Sequence, residues 1–160
     1  MGYLIGGPST YNETSSSLPQ GKGFGLGNES ESPNGVSYRY VKAGSAITSG
    51  DTVLVDESFS ATPVTIANVN DAGFIGVAQQ AFASADYGWV AVAGGPVTIR
   101  LAASATADAP LYPSATAGVL DSAAASGALA ILGVVAASAA SAGGVSSVTG
   151  VLAYPAVKSV

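Results

Sequence analysis

The sequence predicts an all-β fold, a compact β-barrel or β-sandwich of about ten short strands, preceded by an extended N-terminal arm. Short apolar runs recur with turn residues at intervals of roughly 8 to 12 positions, which is typical of sandwiches and barrels. The alternation of apolar and polar side chains is clearest in the strand predicted at 97–101, where Val97, Ile99 and Leu101 share one face. A sharp change in composition separates this region from the first 35 residues.

Residues 1–35 form the predicted arm. They contain eight glycines, six serines and three prolines, whereas all thirty alanines of the chain follow residue 42. The segment has no helical or strand period and is unable to bury its own backbone, so we expect it to be extended or flexible. Its isolated apolar residues are the predicted anchors on a neighbouring molecule: Tyr3, Leu4, Ile5, Tyr11, Phe24 and Leu26.

Residues 36–160 form the predicted β domain. Pro33-Asn34-Gly35 is a turn signal, after which Val36–Tyr40 alternates apolar and polar side chains. Gly94-Gly95-Pro96 is expected to separate two strands, because glycine and proline weaken strand interiors. Further strands are predicted at 51–55, 63–67, 73–78, 88–93, 97–101, 110–112, 118–120, 128–136 and 145–154.

Alanine-rich stretches support a competing prediction, because alanine has the highest intrinsic helix propensity. Serine and glycine interrupt these stretches, so only short helices around 122–125 or 136–141 are predicted. The uncharged run 122–157 is long enough to cross a bilayer, but its leucine, isoleucine and valine content is too low for stable insertion. We therefore predict strands and turns in this run, and no membrane partner.

A degenerate repeat links residues 73–94 with residues 130–150. Each copy contains an apolar pair, a glycine and a valine, then a connector, then two glycines six positions apart with valines between them. The first copy has Phe74-Ile75-Gly76-Val77, and the second has Ile131-Leu132-Gly133-Val134. The repeat predicts one β-module used twice, with both copies contributing to one core.

Charged residues are sparse, at 9% of the chain against about 25% in ordinary globular proteins. The net charge of -5 comes from scattered single residues, and no cluster of lysine and arginine is present. Nucleic acid binding needs such a cluster, so the composition argues against it. A weakly charged surface favours contact with other proteins.

The chain contains no cysteine and no histidine, which excludes a thiolate zinc site and removes the commonest general base. We therefore expect no catalytic residues, no cofactor, no metal and no enzymatic activity. Asp51, Asp56, Glu57 and Asp71 lack the spacing of a calcium loop, and we interpret them as solvated turn acids. Tyr87 and Trp89 flank Gly88, where they either stack on a sugar or a base or, as we favour, fill a core or subunit interface.

Glycine- and valine-rich motifs extend over about residues 41 to 155: Val41-Lys42-Ala43-Gly44, Ile47 to Val53, Gly73 to Ala78, Gly88 to Val97, Ala109 to Tyr112, Ala117 to Leu120 and Ala130 to Val134. Together they resemble the capsid decoration (cement) proteins of bacteriophages, and related β-modules of phage head and tail fibres.

The resemblance implies a structural virion protein that binds the outer surface of an icosahedral capsid and stabilises it. Its partner is then the major capsid protein, and it is expected to form a homo-oligomer, with a trimer favoured. The N-terminal arm is expected to contact neighbouring subunits. The alternative is a receptor- or glycan-binding domain of a phage fibre, indicated by Tyr87, Trp89 and the polar loops.

Overall fold

The structure is a computed structural model that describes the backbone of Asn12–Glu13 and residues 24–158. All regular secondary structure in these residues is β-strand, which confirms the predicted all-β class. In chain order the strands are β1 (Asn12–Glu13), β2 (Glu29–Glu31), β3 (Ser37–Ala43), β4 (Thr52–Val55), β5 (Ser60–Pro63), β6 (Phe74–Ala78), β7 (Tyr87–Leu101), β8 (Tyr112–Pro113), β9 (Leu120–Asp121), β10 (Ile131–Ala136) and β11 (Ser146–Val157).

Strands β3 to β7 close into a barrel. β4 lies between β5 and β6, β7 pairs with both β6 and β3, and β3 completes the circle by pairing in parallel with β5. Closure leaves none of these five strands as a bare edge along its whole length. The barrel interior is filled by a cluster of apolar side chains: Val41, Ala43, Ile47, Val53, Val55, Ala61, Ala78, Phe82 and Val90.

Strand β7 has fifteen residues and continues beyond the barrel. Its second half pairs with β11, from Leu101 opposite Ser146 to Ala93 opposite Ala153, and β10 pairs with the other side of β11. A second and larger core joins the outward faces of the barrel strands to β10 and β11. Its largest fully buried members include Trp89, Tyr40, Ile75, Ile99, Leu101, Leu111 and Leu120.

The predicted break at 94–96 was wrong. Gly94 has φ +86°, and a Cβ at this position would collide with the carbonyl of Gly35. Glycine therefore allows β7 to pass close to the preceding turn without ending. Opposite this point β11 shifts register between Gly150 and Leu152, as at a β-bulge. The strand predicted at 145–154 is also longer than expected, since β11 continues to Val157.

Residues 24–35, which the sequence assigns to the arm, belong to the folded domain. β2 pairs antiparallel with β3, and the ring of Phe24 packs edge-on against Trp89 and Tyr40, with centroid distances of 5.2 and 5.5 Å. The described fold thus begins at residue 24 or earlier, and not at residue 36. Backbone pairing and aromatic packing determine this boundary, and neither produces an alternating pattern in the sequence. Tyr3, Leu4, Ile5 and Tyr11 lie outside the described residues.

No helix is present between residues 24 and 158, so the short helices expected at 122–125 and 136–141 do not form. Ala136 is instead the last residue of β10 and is fully buried, and the backbone N–H of Ala137 donates to the carbonyl of Thr149 on β11. Burial in a sheet here overrides the helix propensity of alanine. The uncharged run 122–157 contains β10 and β11, as predicted.

Both copies of the predicted repeat form antiparallel strand pairs. β6 pairs with β7 in the first copy, and β10 pairs with β11 in the second. The second strands of the two copies, β7 and β11, also pair with each other. The two copies therefore contribute to one sheet and one core.

A closer repeat lies in the turns that lead into β4 and β7. Ile47 and Phe82 exchange backbone N–H···O bonds of 3.0 and 2.9 Å, which relates the two turns by a local pseudo-two-fold axis. The Asp51 carboxylate accepts the Thr48 N–H at 2.7 Å, and the Asp86 carboxylate accepts the Ala83 N–H at 2.9 Å. Both turns have the pattern Ala-x-x-Ala-Ile/Phe-x-Ser-Gly/Ala-Asp, at 43–51 and 78–86.

The same pairing of turns recurs in the second half with little sequence similarity. The Ala140 N–H donates to the carbonyl of Ala105 at 2.8 Å, as the Ile47 N–H donates to Phe82. The Ser141 N–H donates to the hydroxyl of Ser146 at 3.1 Å, so this serine replaces Asp51. The second pair of turns is therefore an incomplete copy of the first, because the Ala105 N–H donates to the carbonyl of Ala102 and not to that of Ala140.

An ion pair between Asp51 and Arg100 ties the barrel to the second half of β7. The Asp51 Oδ1 lies 2.5 Å from Arg100 Nη1, and the two side chains are 4% and 21% exposed. The Gly50 carbonyl also accepts the backbone N–H of Arg100 at 3.0 Å. Asp51 is therefore a buried, paired carboxylate, which corrects the prediction of a solvated turn acid.

We expect Arg100→Met to lower the free energy of unfolding by about 2 kcal/mol, because it leaves the Asp51 carboxylate buried without its cation. A fully buried pair would cost roughly 3–5 kcal/mol, but Arg100 is partly exposed. Urea denaturation followed by circular dichroism measures the change. The double variant Asp51→Asn/Arg100→Met should recover part of the loss, and wild-type stability of the single variant would contradict the role assigned to this pair.

Candidate interaction surface

The outer side of β10 and β11 carries most of the exposed apolar side chains in the described structure. Four large apolar side chains on these strands are about half exposed or more: Leu132, Val135, Val151 and Tyr154. Of the two other exposed large apolar residues, Val145 precedes β11 and Leu26 precedes β2. We call the exposed side chains of Leu132, Val135, Val151, Tyr154 and Ala156 the hairpin face. Contiguous apolar surface of this kind marks a binding site more often than scattered single residues do.

Strand register brings the hairpin face together. Leu132 lies opposite Ala156, and Val135 lies opposite Val151. Neighbouring positions on the same strands, such as Val134 and Leu152, point into the core and are at most 4% exposed. The apolar residues of β10 and β11 thus supply two faces, one buried within the domain and one exposed.

A β-bulge at Gly133 keeps this arrangement in place. Gly133 has φ +77°, and a Cβ there would lie 2.7 Å from the carbonyl oxygen of Ala153. At this point the pairing of β10 with β11 shifts between Leu132 and Val134. The bulge changes the alternation of side chains, so that Leu132 and Val135, three residues apart, are both exposed while Ile131 and Val134 are both buried.

Tyr154 is the most exposed large side chain of the hairpin face, at 64%. Its φ is 46°, in the left-handed region that side chains other than glycine and asparagine rarely adopt. A tyrosine in this conformation costs of order 1 kcal/mol or more, and such strained residues cluster at binding sites. Tyrosine is also enriched in protein interfaces, because its ring buries a large area with little loss of conformational freedom.

A cavity of about 250 Å³ adjoins the hairpin face at one open end of the barrel, which we call the barrel mouth. Tyr154 and Ala156 belong to both, so the face and the cavity form one continuous surface. Apart from a single arginine and the tyrosine, the cavity walls are apolar. The lining residues are Arg39, Phe74, Ile75, Val92, Tyr154, Pro155 and Ala156.

Arg39 is the one charged residue of the cavity lining. Its guanidinium lies over the Phe74 ring, 4.6 Å from the centroid, and one terminal nitrogen pairs with the half-exposed carboxylate of Glu29. Its Nε is buried and has no hydrogen-bond partner. The cation is therefore neutralised by Glu29, while one N–H donor at the cavity is left unsatisfied.

The turn between β4 and β5 supports the barrel mouth from the other side. Phe59, with φ 60°, places its ring 6.3 Å from the Phe74 ring and against Gly27, where any Cβ would collide with it. Asp56 fixes this turn by accepting hydrogen bonds from the backbone N–H and hydroxyl of Ser58, at 2.9 and 2.7 Å, and from the N–H of Ser60 at 2.9 Å. The bonds from Ser60 and Ser58 hold the pKa of the Asp56 carboxyl below its ordinary value of 3.8.

The residues singled out from the sequence lie elsewhere. Trp89 is 2% exposed in the core, and half-buried Tyr87 stacks on Tyr40 with a centroid distance of 6.4 Å. Phe24 packs against the same aromatic cluster, and Leu26 is partly exposed. Trp89 is therefore not available to stack on a sugar in this structure.

The remaining acidic candidates do not come together either. Glu57 and Asp71 are exposed, whereas Asp51 is buried against Arg100. Within the described residues, no group of three or more acidic side chains is placed to hold a metal ion. No helix in the same residues is long and apolar enough to span a bilayer.

Sequence reasoning missed Tyr154, Arg39 and the exposed residues of β10 and β11. One signal was available. Val134-Val135 and Val151-Leu152 place apolar residues on both faces of a strand, although one face of an antiparallel sheet is commonly exposed to water and polar. The strained φ of Tyr154 and the stacking of Arg39 on Phe74 depend on bulges and register, which leave no pattern in the sequence.

Comparisons of the chain with protein-family models, with curated proteins and with solved structures found no match.

We expect Asp56→Asn to make the stability of the protein less sensitive to acid. The folded carboxyl has a lowered pKa, so it contributes stability that is fully present above the unfolded pKa and is lost as the pH falls through the folded value. Denaturant titrations at several pH values between about 6 and 2 measure this difference. Glu57→Gln removes a charge from the same turn as a control, and an equally steep acid loss in both variants would contradict the role of Asp56.

Proposed function

We propose that this protein is a structural component of a phage virion that binds the outer surface of an icosahedral capsid and stabilises it. The observation that carries the proposal is the hairpin face, an uncharged apolar surface that adjoins a cavity. No charged residue occurs between Ser122 and Val157, the part of the chain that forms this face. The sequence resemblance to capsid decoration proteins supports the choice of a capsid as the partner.

The energetics of such a surface suit a repeated lattice. Burial of apolar surface contributes roughly 25 cal/mol per Å², and a patch of a few hundred Å² supports only modest affinity after the cost of association is subtracted. When many copies bind neighbouring positions, or when copies associate with each other, weak single contacts become effective through multivalency. A homo-oligomer, with a trimer favoured, would use the same principle.

The low overall charge supports the same proposal. A contact formed mainly by apolar burial has a weak dependence on ionic strength, unlike a contact steered by charge. Of the two ion pairs in the described fold, Arg100–Asp51 is largely buried, and Arg39–Glu29 pairs the one charge of the adjoining cavity within the domain itself. Capsid binding is therefore expected to persist in high salt.

We expect Tyr154→Asp to weaken binding to undecorated phage heads at least tenfold, which corresponds to about 1.4 kcal/mol. Aspartate tolerates the left-handed conformation better than tyrosine, so the fold should be retained while the apolar anchor is replaced by a charge. Co-sedimentation with heads, followed by cryo-microscopy of the decorated particles, measures occupancy.

Ala115→Asp is the control, since Ala115 is exposed in the turn between β8 and β9 and lies on neither strand of the hairpin face. It should bind like the wild type. Equal saturation of heads by both variants would rule out the hairpin face as the contact, and failure of the wild-type protein to bind any head would overturn the proposed function.

The second candidate function is a receptor- or glycan-binding domain of a phage fibre. Trp89 is buried and does not support it, but Tyr154 presents an exposed ring beside a cavity, as sugar-binding sites do. A glycan array with the wild type and Tyr154→Ala distinguishes the two functions. Specific glycan binding that disappears in the variant would favour the fibre domain.

A further inference from the structure

The cavity at the barrel mouth combines apolar walls with one unsatisfied donor. Phe74, Ile75, Val92 and Pro155 supply the walls, and the buried Nε–H of Arg39 has no acceptor. A buried N–H without an acceptor costs roughly 1–3 kcal/mol, which a ligand oxygen recovers when its entry shifts the side chains that cover this atom. The geometry therefore selects a ligand that carries both an apolar group and a hydrogen-bond acceptor.

The acceptor is expected to be neutral. Glu29 already pairs with the Arg39 guanidinium, so a carboxylate ligand would place two negative charges beside one cation. A backbone carbonyl avoids this repulsion and accepts the N–H equally well. An extended peptide offers a carbonyl and an adjacent apolar side chain together, as peptides do when they bind grooves in other β domains.

The first eleven residues of this chain have the composition that the cavity selects. They contain no charged side chain, and Tyr3-Leu4-Ile5 is a continuous apolar triplet. The residue that follows the segment is Asn12, which the structure places opposite Gly88 on β7. Eleven extended residues span up to about 36 Å, which is more than the radius of a domain of this size.

The position of β1 favours the cavity of another copy over the cavity of the same chain. Gly88 pairs with Asn12 on the side of β7 where, two residues further, Val90 pairs with Ala78 of β6. Strand β6 thus occupies the direct path along β7 from Asn12 to Val92, where the chain's own cavity begins.

We infer that the barrel mouth of one copy binds residues 1–11 of a second copy, with an apolar side chain of Tyr3-Leu4-Ile5 in the cavity and a backbone carbonyl accepting the Nε–H of Arg39. This inference rests on the proposed function, since it assigns the contact between neighbouring copies of the structural protein. In a closed ring each copy inserts its own segment into one neighbour and receives the segment of the other neighbour. Every copy then makes the same contacts, as in a symmetric homo-oligomer.

Photo-cross-linking with mixed isotopes tests the inference on the full-length chain. The photoreactive residue p-benzoylphenylalanine replaces Leu4, and equal amounts of unlabelled and ¹⁵N-labelled protein are mixed before irradiation. Mass spectrometry should find residue 4 linked to the cavity lining at Phe74, Val92 or Tyr154, with about half of the linked peptide pairs combining the two isotopes, as random exchange between copies requires.

Two variants of exposed alanines on β11 provide the control. Ala156 lines the cavity and Ala153 does not, although both are exposed. Ala156→Phe, which fills the entrance, should reduce the cross-link at least fivefold, whereas Ala153→Phe should leave it at the wild-type level. Circular dichroism confirms that both variants are folded.

The outcomes separate this inference from the proposed function. If every linked pair carries a single isotope, the segment lies in the cavity of its own chain and the inference is overturned. The inference is also overturned if protein that still binds heads forms no link to the cavity lining. Mixed-isotope links to the cavity in protein that fails to bind any head would support the inference and overturn the proposed function.

Discussion

The structure depends on the pairing of strand β7 along both of its edges. Its first half is a wall of the barrel, between β3 and β6, and its second half is the strand on which β11 and then β10 are assembled. Alternate side chains of this one strand enter two different cores: Val90 fills the barrel, whereas Trp89, Ile99 and Leu101 belong to the larger core outside it. Loss of β7 pairing would therefore separate the barrel from the hairpin face, and the cavity between them would no longer exist.

The binding surface follows from the way the second half is attached. Because β11 continues past the end of its pairing with β7, its last residues, Tyr154 to Ala156, reach the barrel mouth and line its cavity with Arg39 and Phe74. The surface is therefore composite: the barrel supplies the arginine and the aromatic ring beneath it, and β11 supplies the exposed tyrosine. Rigid strands hold both parts, which reduces the ordering cost of binding a partner.

The sequence predicted the fold class well, because that prediction rests on local patterns. Alternation at Val97, Ile99 and Leu101 identifies a strand and its buried face, and all three side chains are at most 4% exposed. The turn signal at Asn34-Gly35 likewise precedes β3 as expected. The errors concern residues whose role is set by distant parts of the chain. Gly94 reads as a strand break, yet it permits close passage of the turn at Gly35, and Phe24 reads as part of an arm, yet it packs on Trp89.

The candidate surface was much less predictable than the fold. Arg39 and Glu29 are ten residues apart and form an ion pair only because β2 and β3 pair in that register. The duplicated turns could have been found, since Ala43, Ala46, Ser49 and Asp51 recur as Ala78, Ala81, Ser84 and Asp86. Their counterparts in the second half keep one of the two backbone hydrogen bonds and replace the aspartate with a serine, so the pattern is lost there.

The sheet edges of this protein determine how it behaves when crowded. The outer side of β10 is bonded to a loop at both ends, through the Ile131 N–H to the carbonyl of Leu111 and the Asp108 N–H to the carbonyl of Ala136, while β2 at the other end of the sheet exposes Glu29 and Glu31. Covered or charged edges do not template further strand pairing. A protein with so few charges can therefore be concentrated at high density without its sheets joining into fibres, because contacts between molecules are left to side chains and not to the backbone.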